Sequence, residues 1–153
     1  MTHFIRASIA AFVLLTVASC RDDAAENKAE ALPAAEAADL LINRNWMDLW
    51  PASEKEKLNV FRFVPSMGGG VFQDRTLFEG TFELFSFSVS EGTIHFNLHH
   101  TKQKVATKFR IERVEGPRPF DLKLTLEKSP RGPRVYFGRS IETANDLGLH
   151  PIQ

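Results

Sequence analysis

Three histidines fall close together, His95, His99 and His100. Histidine is the side chain most often used to hold a metal or carry a proton near neutral pH. His95 and His99 are four residues apart in an alternating segment, which on a strand separates them by roughly 13 Å. That is too far to share one ion, so no metal site is expected. Ser86 and Ser88 precede His95, and a serine beside a histidine is the minimal nucleophile and base. No glycine-flanked elbow surrounds either serine, and an open sheet face would not exclude water. Gly68-Gly69-Gly70 lacks the lysine and helix start of a phosphate-binding loop and reads as a turn. No convergent set of titratable groups emerges, so neither catalysis nor a cofactor is expected. The remaining reactive group is Cys20, the only cysteine of the chain, which excludes an internal disulfide.

The surroundings of Cys20 give it a purpose. Arg6 is followed by the uncharged run Ala7 to Ser19, 13 residues long. A helix needs about 20 residues to span a bilayer, so this run fits a signal-peptide core instead. Val17-Ala18-Ser19-Cys20 resembles the lipobox of bacterial lipoproteins. That resemblance implies diacylglyceryl transfer to the thiol and cleavage that leaves Cys20 as the first mature residue. It also implies a membrane anchor of two or three acyl chains, where one chain alone binds only marginally. Arg21 occupies the place of the aspartate that favours inner-membrane retention, which points to the outer membrane. The mature chain is therefore expected in the bacterial cell envelope, anchored and facing the periplasm. Export argues against nucleic acid as a partner.

Residues 21 to 39 are Ala- and Glu-rich, with six acids, two bases and no aromatic. Such composition buries little, so the segment reads as a flexible tether reaching on the order of 25 Å. The expected organisation is a signal peptide over 1–19, a lipidated Cys and tether over 20–39, and one domain over 40–153. The zero net charge hides an asymmetry: residues 101 to 140 hold eleven Lys or Arg against four Asp or Glu. Lys108, Arg110 and Lys123 represent that basic face, which would attract an acidic partner or polymer.

Period-two alternation governs the domain. Phe85, Phe87 and Val89 alternate with serines, and Ile94, Phe96 and Leu98 alternate with polar residues. With Glu91-Gly92 as a two-residue turn, Ser90 faces Thr93 and Val89, Phe87 and Phe85 face Ile94, Phe96 and Leu98. A slip of one residue would set each apolar residue against a polar one. A turn at Lys102-Gln103 would set Phe96 against Phe109 and Ile94 against Ile111. Phe120, Leu122, Leu124 and Leu126 alternate in a further strand, and Val135-Tyr136-Phe137 forms another. Leu58 to Val64 reads as a strand ended by Pro65, and Trp46 to Trp50 as the first strand after a helical entry near Leu40. The phase change between Phe82-Leu84 and Phe85-Phe87 suggests a bulge. The fold class is all-β: an up-and-down antiparallel meander of seven or eight strands closing into a small barrel.

This layout resembles the small lipocalin-like (calycin-type) domains of bacterial lipoproteins over roughly residues 40 to 140. Its marks are Leu40 to Trp46, Gly80-Thr81-Phe82-Glu83-Leu84, the apolar hairpin at Glu91-Gly92 and Tyr136-Phe137-Gly138-Arg139. By position Trp46 would pack under the barrel with Arg139 on its indole; Arg44 replaces the glycine usual there. The resemblance implies an apolar small-molecule or lipid-like ligand, with Phe85, Phe87, Phe96, Phe109, Ile111, Leu122 and Leu124 lining the cavity. The same phenylalanines would also fill an eight-stranded barrel. In that case the domain would be a packed scaffold, binding an envelope protein or anionic polymer through Lys108, Arg110 and Lys123.

Overall fold

A run of strand-forming residues punctuated by Pro, Gly and Ser yields eight strands and one helix in the computed structural model, which describes residues 31–140. Residues 1–30, which hold the expected signal peptide, Cys20 and the first part of the expected tether, and residues 141–153 lie outside the described residues. Helix α1 spans Ala34–Leu41, and the strands are β1 (Asn45–Met47), β2 (Leu58–Val64), β3 (Gly69–Arg75), β4 (Gly80–Ser90), β5 (Thr93–Leu98), β6 (Lys104–Arg113), β7 (Leu122–Leu126) and β8 (Val135–Gly138). Each strand pairs antiparallel with the next, and β8 returns to β1 through Met47 and Phe137, closing the barrel. The expected meander is thus the observed architecture.

The long strands β4 and β6 produce the closure. Residues 80–85 of β4 pair with β3, and residues 85–90 pair with β5. Likewise residues 104–108 of β6 pair with β5, and residues 109–113 pair with β7. Each is shared by two offset neighbours, which is the stagger that tilts strands and closes a sheet on itself. Beyond the start of β5, Phe109 N–H donates to Gly92 O at 3.0 Å and Leu32 N–H donates to Ile111 O at 2.9 Å. The lead-in to α1 thereby occupies the length of β6 that β5 leaves uncovered.

The β4–β5 hairpin has the expected register at every pair, from Ser90 opposite Thr93 to Phe85 opposite Leu98. Glu91 and Gly92 both have positive φ, 48° and 71°, as a mirror-image two-residue turn requires.

The first strand ends at Met47 rather than at Trp50, and four further details differ from expectation. Phe96 faces Val105 and Ile94 faces Thr107, a register four residues away from the expected one, with a five-residue loop over 99–103 closed by Leu98 N–H to Gln103 O at 2.8 Å. Four is even, so the slip leaves every side chain on its face and alternation cannot detect it. Consequently His95 faces Ala106 rather than Arg110. Secondly, β4 has no bulge, because its registers with β3 and β5 run unbroken. Phe82 and Leu84 simply project outward, exposed, opposite Gln73 and Val71. Thirdly, Phe120 leaves the interior set and stacks outside the wall on Phe137 at 5.8 Å. Fourthly, α1 extends into the segment assigned to the tether. Alanine and leucine favour helix, Pro33 O accepts the first helical bond from Ala37 N–H at 2.8 Å, and Ala37 and Leu41 are buried.

Candidate functional site

Alternation directs Phe61, Phe63, Phe72, Phe85, Phe96 and Tyr136 into the barrel, where they meet each other. Phe61 lies at the centre, with ring centroids 4.9 Å from Phe72, 5.2 Å from Tyr136, 5.8 Å from Phe85 and 6.0 Å from Phe96. Phe85 and Phe96 are 5.2 Å apart, and Phe63 reaches Phe87 at 5.1 Å. These separations fall within the contact range for aromatic pairs. Of the expected lining residues, Phe85, Phe96, Ile111, Leu122 and Leu124 are fully buried, whereas Phe87 and Phe109 are half-buried at the margin of this cluster. Trp46, absent from that set, completes the packing. Its indole N–H donates to Leu41 O at 2.9 Å, and its ring lies so close over Gly138 that a Cβ there would approach it to 2.9 Å.

Both mouths are covered. At one end α1 lays Ala37 and Leu41 over the core, held by the Glu36–Arg113 ion pair at 2.8 Å. At the other, the β7–β8 loop sends Arg131 across the opening to Glu83. The guanidinium binds both carboxylate oxygens, at 2.6 and 3.2 Å, and reaches Thr101 Oγ1 at 3.3 Å. Tyr136 donates its hydroxyl proton to Arg131 O at 3.0 Å, fixing the same loop from within. Burial pushes the Tyr136 phenol well above its ordinary value. Glu83 escaped sequence analysis because the phase change in β4 hid the face of its N-terminal half. Thr107, the polar interior residue, is satisfied: it accepts from Lys128 N–H at 2.8 Å and donates to Lys108 O at 3.1 Å.

The basic face lies outside β5 to β7. Lys108 and Arg110 are exposed and Lys123 is partly so, but Glu112 sits between the last two, 3.4 Å from Arg110 and 3.3 Å from Lys123. Glu112 is itself buried. Pairing at Glu112↔Lys123 places it there, so part of the positive charge is neutralised locally.

The histidines sit on the outer surface of β5 and its following loop. His99 Nε2 is 3.3 Å from Ser86 Oγ, and His95 Nε2 is 3.3 Å from Ser90 Oγ. Both contacts are exposed, and Ser88 lies opposite His95. Among the described residues, no group of three His, Cys, Asp or Glu is placed to hold a metal ion. Arg44 uses its guanidinium to bind Arg139 O and Ser140 O, tying the start of β1 to the end of β8.

Sequence analysis also missed an apolar outer surface over β1 to β4. Trp50, Leu77, Phe78, Phe82 and Leu84 are all exposed there. A groove of about 380 Å³ runs between Met47, Trp50, Leu58, Val60 and Leu77. The out-of-phase Phe82 and Leu84 were the available signal. Among the described residues, no helix is long and apolar enough to cross a membrane. No family model, no curated protein and no solved structure matches the chain.

Proposed function

We propose that the protein is a lipid-anchored component of the bacterial envelope whose barrel is a filled scaffold for docking a partner, not a carrier of small molecules. The carrying observation is the interior: Phe61 touches five other buried rings, and α1 and Arg131 cover the two ends. An eight-stranded barrel has room for its own side chains or for one small ligand. Here the side chains take that room. Function then resides on the outer surface. The anchor is supported by the lipobox-like Val17-Ala18-Ser19-Cys20 after an uncharged core. Arg21 supports placement in the outer membrane, facing the periplasm.

The face around Lys108, Arg110 and Lys123 is the docking surface in this account. Its exposed cations suit an acidic envelope protein or an anionic polymer, with Glu112 neutralising part of the charge of Arg110 and Lys123. Replacing Lys108, Arg110 and Lys123 with glutamate tests this. The expected result is loss of salt-sensitive binding to anionic envelope polymer, with the thermal transition retained apart from the effect of the Glu112 contacts. Unchanged binding would contradict the role of this face.

A further inference from the structure

We propose that the turn between β3 and β4, together with Trp50, is a membrane-inserting tip that seats the barrel on the lipid surface to which Cys20 tethers it; this rests on the lipid anchor proposed above.

The tip is built to leave water. Leu77 and Phe78 are 52% and 75% exposed at the apex of a turn that satisfies its own backbone. Thr76 N–H donates to Glu79 O at 2.8 Å and Leu77 N–H to Glu54 O at 3.1 Å. Phe78 N–H and Glu79 N–H both point to Thr76 Oγ1, at 3.4 and 3.2 Å. Arg75 donates from Nε to Thr76 O and from Nη2 to Leu77 O, each at 2.8 Å. An unsatisfied backbone group is costly in an apolar medium. This turn carries its apolar side chains outward with every N–H from Thr76 to Glu79 already donated. The apolar surface continues into the groove with Trp50 and along β4 with Phe82; tryptophan suits the interfacial zone, and leucine and phenylalanine the headgroup–acyl boundary beneath it.

Charge and reach favour a lipid surface over the other occupants. Around the tip Lys57 and Arg75 are balanced by Asp74 and Glu79, which fits zwitterionic headgroups. The tether joins the barrel at Ala31, beside Glu112 at the far end of the wall from this turn. The 11 residues of β4 measure about 36 Å along the strand, less in height because barrel strands tilt. The eleven-residue path from Cys20 to Ala31 extends to about 36–40 Å. The chain is therefore long enough to run beside the barrel and let the tip face the membrane.

Cys20 is the only cysteine, so the mature chain can be coupled through it to maleimide-bearing phosphatidylcholine vesicles, whatever the cell attaches there. The chain has two tryptophans, and Trp46 is buried, so a change in emission reports Trp50. The expected result is a blue shift on coupling, with quenching by brominated phosphatidylcholine. It should be lost in L77S/F78S, each substitution lowering partitioning by about tenfold. Both side chains are exposed, so the double variant should melt as the parent does. The proposal is overturned by an unshifted Trp50 or by a shift that survives L77S/F78S. A shift that needs anionic lipid, or that arises without vesicles as protein concentration rises, also overturns it, the last indicating a second copy. Failure of the anchor itself is read separately, as the absence of diacylglyceryl mass on Cys20 in protein taken from cells.

Discussion

Tyr136 sits fully buried with its hydroxyl donating to Arg131 O. Burial raises the phenol above the ordinary value of 10.0, because the phenolate is disfavoured away from water. The unfolded chain loses this proton near pH 10 while the folded chain keeps it. The folded state then binds more protons, so stability is intact below that pH and falls as pH rises past it. Tyr136→Phe should cost about 1 kcal/mol at neutral pH through the lost hydrogen bond. It should also remove this group's share of the alkaline decline, measured by denaturant unfolding between pH 8 and 11. At Gly138 the constraint is space. A Cβ would meet the Trp46 ring at 2.9 Å, so Gly138→Val should destabilise by about 2 kcal/mol and broaden the near-ultraviolet dichroism of the indole. Neither role was legible beforehand. The alternation placed Tyr136 in a strand, but the carbonyl it binds belongs to a loop whose path no periodicity describes.

Among the elements, the β4–β5 hairpin was readable because two independent signals agreed, turn chemistry and matched apolar sets. Its first turn residue, Glu91, nevertheless occupies the left-handed region at φ 48°. That conformation suits asparagine far better than glutamate. Glu91→Asn should raise stability by up to about 1 kcal/mol without changing the register, seen as a higher denaturant midpoint at constant slope. The β5–β6 connection was misread for an equally physical reason. Lys102, with φ 59°, closes a longer loop than the two-residue turn expected. The even slip kept Ile94, Phe96, Phe109 and Ile111 on the inner face, so the interior set survived while the pairs changed. Helix α1 was legible at its end, as the helical entry near Leu40, but composition hid its first part: Ala37 buries against the barrel although the surrounding residues look like linker.

The whole molecule has two outer faces of different character on opposite sides of a closed wall. One is apolar, over β1 to β4; the other is basic, over β5 to β7. The basic face was legible from the charge run between residues 101 and 140, but the neutralising place of Glu112 required the β6–β7 register. The apolar face was not legible, since Phe82 and Leu84 read as interior residues displaced by a bulge. If the basic face docks the partner, adding Glu112→Gln to an otherwise unaltered chain should strengthen salt-sensitive binding to anionic polymer. The substitution removes the one carboxylate shown between Arg110 and Lys123. Titration against a heparin-like polyanion at two ionic strengths would measure that change, and weaker binding would speak against this face.

The filled interior is the central claim, and mass tests it most directly. The mature chain, purified without denaturant, should give a native mass spectrum matching its denatured mass, before and after exposure to an envelope lipid extract. A discrete additional mass in the native spectrum, released on unfolding and unaffected by L77S/F78S, would place a cargo inside the barrel and contradict the account.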